Sequence, residues 1–172
     1  MDQTKGLVTF KGRGLTLEGR QLKVADKSPD FSALAQDLSE VKLSSFAGKT
    51  VLIASVPSLD TGVCDMEARR FNTEAAGFGE ALQVLVISMD LPFAQKRWCG
   101  AAGVKNVRTL SDHRDAKFGT AYGVLIKELR LLARAVFVVD KAGRIRYIQV
   151  VDELSNEPDY EAALKALKET AK

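Results

Sequence analysis

The chain has 172 residues, of which 46% are hydrophobic and 27% charged, proportions typical of a soluble globular protein. Its net charge is only +3 and its charges alternate in sign along the chain, so we expect no nucleic-acid partner. Apolar runs such as residues 51–54 and 84–87 have the length of strands, far below the ~18 residues of a membrane span. The opening residues, MDQTK, lack a signal-peptide core, so we expect a cytoplasmic protein without a membrane segment.

The first elements indicated by the sequence are a hairpin, a buried strand and a helix. Residues 7–11 and 15–18 flank a glycine-containing turn, which predicts a β-hairpin. Residues 50–56 form a continuous apolar run, as expected for a strand buried on both faces. Asp60 or Thr61 is then placed to cap a helix that extends to about residue 72. Four residues of this helix are expected roughly on one face: Val63, Met66, Arg70 and Phe71.

The rest of the chain alternates between helices and strands. The later predicted elements are a strand at 84–89, a helix from Leu91-Pro92, a short helix near 114–122, a strand at 134–140, its hairpin partner at 144–151, and an amphipathic helix at 158–168. This order predicts an α/β fold with a mixed central sheet flanked by helices. We expect residues 1–172 to form a single domain.

The two cysteines are the residues that point to chemistry. Cys64 and Cys99 are 35 positions apart, which excludes a Cys-x-x-Cys motif, and with a single histidine we expect no zinc site. Two cysteines in a cytosolic chain indicate redox or nucleophilic chemistry more often than a structural bridge. Their sequence contexts therefore decide how the chain is interpreted.

Cys64 is predicted to lie in the first turn of a helix that follows a buried strand. Unpaired N–H groups and the helix dipole both favour the thiolate there, which is the nucleophilic form. A free cysteine is usually a small buried hydrophobe, but the end of an α/β strand faces a crevice, which favours an accessible sulfur. Thr61 would bring its hydroxyl within reach of that sulfur or, more simply, cap the helix. Pro57 would stiffen the preceding loop.

Residues 57–64, PSLDTGVC, match the Pro-x-x-x-Thr-x-x-Cys signature of peroxiredoxins at every fixed position. The chain resembles most closely the bacterial thiol peroxidase subfamily, the atypical two-cysteine peroxiredoxins. One difference is Gly62, where proline is common in the family. The resemblance covers nearly the whole chain through VTFKG at 8–12, RRFN at 69–72, DLPFA at 90–94, ARAV at 133–136 and EPDYEAAL at 157–164. It implies a thioredoxin-like fold with an N-terminal β-hairpin.

The resemblance also implies a role for each site residue. Cys64 would be the peroxidatic cysteine, and Cys99 would resolve its sulfenic acid as an intrachain disulfide. Thr61 and Arg134 would activate Cys64, and Pro57 would shield the sulfenic acid.

Arg134 has two interpretations. A guanidinium near the sulfur would stabilise the thiolate and the developing charge on a peroxide oxygen. The alternative is a salt bridge to an acid such as Asp60 or Glu67.

The implied activity is reduction of hydrogen peroxide and of organic (alkyl or lipid) hydroperoxides to water or alcohols, in antioxidant defence. No cofactor is expected, and thioredoxin is the implied electron donor. A homodimer is likewise implied by the resemblance alone.

Three other functions are open on the residues themselves. Cys64 and Arg70 have the Cys-x5-Arg spacing of cysteine-dependent phosphatases, although two acidic residues and no glycine lie between them. A cysteine paired with His113 would suit a cysteine protease or acyltransferase. A binding domain with a structural Cys64–Cys99 disulfide, contributing ~3–4 kcal/mol, is the non-enzymatic alternative.

The helix that carries Cys99 is expected to move during the reaction. A disulfide requires Cα atoms about 4.4–6.8 Å apart, which two separate packed helices are not expected to offer. We expect this helix to unwind because Gly100 and Gly103 weaken its C-terminal end. Trp98, next to Cys99, is interpreted as packing.

Overall fold

The computed structural model describes all 172 residues, which form eleven strands and four helices. The strands are β1 (Gln3–Phe10), β2 (Arg13–Glu18), β3 (Ser32–Leu34), β4 (Glu40–Lys42), β5 (Thr50–Ser55), β6 (Leu82–Ser88), β7 (Val107–Ser111), β8 (Leu125–Ile126), β9 (Leu131–Leu132), β10 (Ala135–Val139) and β11 (Ile145–Val150). The helices are α1 (Gly62–Ala75), α2 (Pro92–Ala102), α3 (Lys117–Ala121) and α4 (Tyr160–Thr170). None of these helices has the combination of length and apolarity that crossing a bilayer requires.

Seven strands form one mixed sheet in the order β11-β10-β5-β6-β7-β3-β4. The central strands β5, β6 and β7 are parallel, whereas β10 and β3 join them antiparallel on either side. Both faces of the sheet are buried, each beneath its own apolar cluster. Alternate side chains of one strand point to opposite faces and so belong to different clusters. In β5, Val51 and Ile53 belong to one apolar cluster and Leu52 and Ala54 to the other. The second cluster packs α1, α2 and α4 against the sheet and contains Cys64.

The N-terminal hairpin belongs to a smaller sheet in the order β1-β2-β8-β9. Lys11 and Gly12 form its turn with φ of 51° and 77°, the left-handed backbone that two-residue hairpin turns require. The end of β1 is tied to the segment after β11: the Thr9 amide donates to the Asp152 carbonyl at 2.7 Å, and the Leu154 amide donates to the Thr9 carbonyl at 2.9 Å. The hairpin therefore supports a segment that reaches the candidate site.

The α/β architecture and the N-terminal hairpin expected from the sequence are confirmed, with a longer first strand than predicted. Of the four residues expected roughly on one face of α1, Phe71 is buried, whereas Met66 is 51% exposed and Arg70 is exposed. The buried face of α1 is instead formed by Cys64, Glu67, Ala68, Phe71 and Ala75. This face follows the helical repeat from Cys64, so the cysteine itself points toward the sheet.

Candidate active site

Cys64 lies in the first turn of α1, where Thr61 is the N-cap. The Thr61 hydroxyl accepts a hydrogen bond from the Cys64 amide at 3.4 Å and donates its proton to the Ser58 carbonyl at 3.1 Å. No hydrogen bond joins this hydroxyl to the sulfur. In this structure Thr61 caps the helix and closes the turn before it, which leaves the helix dipole directed at the cysteine.

The sulfur does not face an open crevice, so that expectation is wrong. Cys64 has no exposed surface and lies in the apolar cluster between α1 and the sheet. The reason is the orientation of α1, whose inner face begins at Cys64 and continues through Ala68 and Phe71. A buried cysteine in apolar surroundings is ordinarily inert, so its reactivity depends on the polar groups that contact it.

Arg134 is the polar group that contacts the sulfur. It precedes β10, and pairing of Ala135 with Ser55 brings it beside the loop that leads into α1. Its Nη2 donates to Cys64 Sγ at 3.2 Å and to the Leu154 carbonyl at 3.1 Å, and its Nη1 donates to Glu67 Oε2 at 2.7 Å. Arg134 is only 1% exposed. Both sequence interpretations of Arg134 therefore occur together, as sulfur contact and as salt bridge.

Glu67 completes a buried charged cluster that sequence reasoning treated only as an alternative partner of Arg134. Burial raises the pKa of Glu67 to about 7, although the neighbouring guanidinium acts to lower it. One carboxyl oxygen of Glu67 has no hydrogen-bond partner. Cys64 and Glu67 thus share a single guanidinium charge. The sequence did carry a signal for this cluster: Cys64 and Glu67 are three residues apart, a spacing that places both side chains on one face of a helix.

A second carboxylate, Asp90, holds the loop between β5 and α1. It accepts hydrogen bonds from the Ser58 hydroxyl at 2.7 Å, the Leu59 amide at 2.8 Å and the Ser88 hydroxyl at 2.7 Å. Pro57 is buried at the start of the same loop. Asp90 lies in the DLPFA segment that carried the family resemblance, but its role in holding this loop follows only from the three-dimensional contacts.

Cys99 lies on α2 in a different environment. It is half-buried, and its Sγ lies 3.6 Å from the Thr109 hydroxyl, which also accepts from the Gln36 amide at 2.9 Å. Neither cysteine is in a disulfide. The structure brings Cys64, Thr61 and Arg134 together and places Cys99 on a neighbouring helix.

The alternatives drawn from single motifs find no support in the geometry. Arg70 lies on the outside of α1, where it pairs with Glu74 at 3.1 Å and Glu161 at 3.4 Å, so Cys64 and Arg70 do not form a phosphate-binding loop. His113 makes no hydrogen bond with either cysteine; its amide donates to the Ser111 hydroxyl. No group of three or more His, Cys, Asp or Glu side chains is arranged to hold a metal ion.

Comparison with known proteins identifies the family. The redoxin family model matches residues 23–164. The chain is 56% identical over 161 residues to the thiol peroxidase of Halalkalibacterium halodurans, covering 94% of this chain and 96% of that protein. It is 53% identical over 165 residues to the thiol peroxidase of Bacillus subtilis, with coverages of 96% and 98%. The crystal structure of a peroxiredoxin-like protein from Aquifex aeolicus matches with a TM-score of 0.89 at 43% identity, covering 95% of this chain and 96% of that one.

These matches extend over nearly the whole chain, and they confirm the thioredoxin-like fold. The chain belongs to the redoxin family, and within it to the thiol peroxidases, which makes it a peroxiredoxin-type peroxidase.

Proposed function

We propose that this peroxidase reduces hydrogen peroxide and organic (alkyl or lipid) hydroperoxides through a sulfenic acid on Cys64. The observation that carries the proposal is the 3.2 Å hydrogen bond from Arg134 Nη2 to Cys64 Sγ inside a buried cluster. A guanidinium stays charged at all relevant pH values, so it stabilises a thiolate without itself titrating. The start of α1 adds the helix dipole to the same effect.

In the first half-reaction the Cys64 thiolate attacks one oxygen of the hydroperoxide. An S–O bond forms as the O–O bond breaks; the leaving oxygen takes a proton and departs as water or an alcohol. The sulfur loses two electrons and the peroxide gains them. Arg134 is within reach of the charge that develops on the peroxide oxygens, where a preorganised donor has its largest effect. Because Cys64 is fully buried, the peroxide must enter by a local movement.

In the second half-reaction the Cys99 thiol attacks the sulfenic sulfur of Cys64. An S–S bond forms, and the sulfenic oxygen leaves as water with the thiol proton. We expect α2 to unwind for this step. Gly100 lies inside the helix, and a Cβ at this position would meet nothing within 4 Å, so its lack of a side chain only weakens the helix. Gly103 ends the helix with φ of 66°, so its role is that of a left-handed C-cap.

Thioredoxin is the proposed electron donor for the resulting disulfide. Its dithiol would return two electrons by thiol–disulfide exchange and regenerate both thiols. This cycle fits a cytoplasmic protein, because that compartment keeps thiols reduced. We further propose that residues 1–172 act as one domain.

A homodimer is the proposed assembly. Met66, Leu91 and Phe93 are apolar side chains 51%, 52% and 64% exposed, and they lie on α1 and at the start of α2, beside the loop held by Asp90. Exposed apolar groups of this kind are typical of contact surfaces. Phe93→Glu should shift the mass measured by sedimentation from that of a dimer to that of a monomer. A parent protein that itself sediments as a monomer would refute the dimer.

The function is tested by NADPH oxidation in the presence of thioredoxin, thioredoxin reductase and a hydroperoxide. We expect turnover with hydrogen peroxide and with tert-butyl or fatty-acid hydroperoxides, and none when thioredoxin or the peroxidase is omitted. Peroxide consumption supported only by another dithiol would refute the choice of donor. Failure to consume any hydroperoxide with any dithiol would refute the proposed reaction.

A further inference from the structure

The two helices that carry the cysteines are joined by a polar contact that the proposed reaction does not use. The Trp98 indole N–H donates to Asp65 Oδ1 at 2.7 Å, and the other oxygen of Asp65 pairs with Arg69 Nε at 2.9 Å. Arg69 also lies over the Trp98 ring, 5.9 Å from its centroid, and donates to the Ala102 carbonyl at 3.3 Å. We refer to Asp65, Arg69 and Trp98 as the clasp.

We propose that the clasp sets the rate at which α2 opens, and thereby decides between disulfide formation and over-oxidation of Cys64. The proposal deepens the function proposed above and rests on it. Asp65 directly follows Cys64, and Trp98 directly precedes Cys99. The clasp therefore links the immediate neighbours of the two thiols.

The position of the clasp contacts explains why they control opening. Both reach α2 from α1, one at Trp98 and one at the Ala102 carbonyl, so they bracket Cys99 on the helix. The Cys99 sulfur has a single polar contact, at 3.6 Å from the Thr109 hydroxyl, which is a weak interaction. Unwinding this part of α2 must therefore break the clasp. Trp98 is only 9% exposed, and its hydrogen bond to a carboxylate is of the stronger, charge-assisted kind.

The chain beyond α2 has a separate attachment to α1. The Asn72 side chain accepts from the amides of Lys105 and Asn106 at 3.0 and 2.7 Å. This anchor does not depend on the clasp, so it stays in place when the clasp breaks. The opening is thereby confined to α2 and the short turn that follows it.

The rate of opening selects between two fates of the sulfenic acid. In the open state the Cys99 thiol attacks it, forming the disulfide and releasing water. While α2 is still folded, a second hydroperoxide that enters by the same local movement as the first is attacked by the sulfenate, forming sulfinic acid while the peroxide is reduced to water or an alcohol. A stronger clasp favours the sulfinic product, and a weaker one favours the disulfide.

The opening is measured first on the reduced protein without peroxide, by hydrogen exchange of the α2 amides. Asp65→Ala and Trp98→Phe should accelerate this exchange by about tenfold, the effect of losing one charge-assisted hydrogen bond. Trp98→Phe keeps an aromatic ring and removes only the N–H donor, so it preserves the packing. Glu74→Ala is the matched control, because it removes an i,i+4 ion pair of α1 that does not contact α2.

The proposal expects faster exchange in α2 with unchanged exchange in α4, and no change in the control. Unchanged exchange in α2, or equal acceleration in α4, would overturn it, since the clasp would then have no role or only a general structural one. This result is independent of whether Cys64 reacts with peroxide.

The second measurement is the hydroperoxide concentration that converts half of Cys64 to sulfinic acid during turnover. We expect the two clasp variants to require about tenfold more peroxide than the parent protein, in proportion to their faster opening. An unchanged requirement despite faster exchange would overturn the link to over-oxidation. If the parent protein consumes no hydroperoxide, the proposed function fails while the exchange result still tests the clasp. If it consumes hydroperoxide without forming sulfinic acid at Cys64, the link to over-oxidation fails.

Discussion

The two cysteines share one apolar cluster, yet their surroundings differ in kind. Cys64 is fully buried at a capped helix start, with its sulfur on the guanidinium of Arg134. Cys99 is half-buried on α2, and its only polar neighbour is the neutral Thr109 hydroxyl. The Cys64 environment concentrates fixed charge on the sulfur, as a nucleophile requires. The Cys99 environment holds its sulfur loosely, as a group that must move requires.

The supports of the two regions differ in the same way. Arg134 leads into β10, which pairs along its full length with β5, so the groups around Cys64 are tied to the large sheet by continuous backbone pairing. Cys99 lies on a helix, and its sulfur meets the sheet through a single polar side-chain contact with Thr109 of β7. We infer that the region around Cys64 stays folded while α2 opens.

The largest expected effect separates the two thiols directly. Cys64→Ser should reduce peroxide consumption to the level of a blank, because no other thiol has a charged partner. Cys99→Ser should still complete one turnover and then accumulate sulfenic and sulfinic acid at Cys64. Stopped-flow peroxide consumption with mass spectrometry distinguishes them. Substantial multiple turnover by Cys64→Ser would show that the two environments have been assigned to the wrong roles.

The next effect tests the guanidinium group that contacts the Cys64 sulfur. Arg134→Lys keeps a positive charge but loses the planar group that contacts Cys64, Glu67 and Leu154 together, so peroxide reduction should slow by about 10²–10³. Arg70→Lys provides a control, since Arg70 lies on the outside of α1, where it pairs with Glu74 and Glu161. The rate constant of the first turnover is the measurement. A folded Arg134→Lys variant reacting at the parent rate would mean that Arg134 is only structural.

A smaller effect is expected from the loop that leads to Cys64. Asp90→Ala removes the acceptor for Ser58, Leu59 and Ser88, so the loop loses its fixed position and the first turnover should slow by about tenfold. Asp60→Ala is the control, because Asp60 lies in the same loop and its only ion-pair contact is at 3.9 Å from Arg97. Equal rates for the two variants would exclude the proposed role of Asp90.

The smallest effect concerns pH and arises from Glu67. Burial raises its pKa from 4.5 to about 7, so between these values the folded state retains a proton that the unfolded chain releases. The free energy of unfolding must therefore fall as pH rises through this window, by on the order of 3 kcal/mol. Glu67→Gln should remove this component of the slope, as measured by urea unfolding at pH 5 and pH 8.

The same variant sharpens the contrast between the thiols. With Glu67→Gln the guanidinium no longer divides its charge, so at pH 8, where Glu67 of the parent protein is ionised, alkylation of Cys64 should accelerate several-fold. Alkylation of Cys99 should not change. Two results would contradict this account of Glu67: the same dependence of the unfolding free energy on pH in the variant and the parent protein, or equal acceleration of alkylation at both thiols.

Sequence analysis predicted the features that depend on residues close together in the chain. The signature at 57–64 places Cys64 at a helix start, and the long apolar runs locate β5, β6 and β10. The short strands β3, β4, β7, β8 and β9 were not predicted. They have two to five residues each, and pairing with neighbouring strands decides their conformation more than local composition does.

The electrostatics of the site depend on contacts between distant parts of the chain. Arg134 contacts Cys64 across 70 positions, and Trp98 contacts Asp65 across 33. The helical spacing of Cys64, Ala68 and Phe71 marks the inward side of α1, but the contact of Glu67 with Arg134 and the raised pKa of Glu67 followed only from the packed structure. Trp98 was interpreted from the sequence as packing; its hydrogen bond to Asp65 was missed because the two residues are 33 positions apart.

The central claim is that Cys64 reacts and Cys99 moves to resolve it within one chain. The most direct test is mass spectrometry under non-reducing conditions after treatment of the reduced protein with one equivalent of hydrogen peroxide. The account predicts a monomer two hydrogens lighter, with the Cys64 and Cys99 peptides linked. Disulfide-linked dimers as the main product, or a Cys64 sulfenic acid that persists beside a free Cys99, would contradict it.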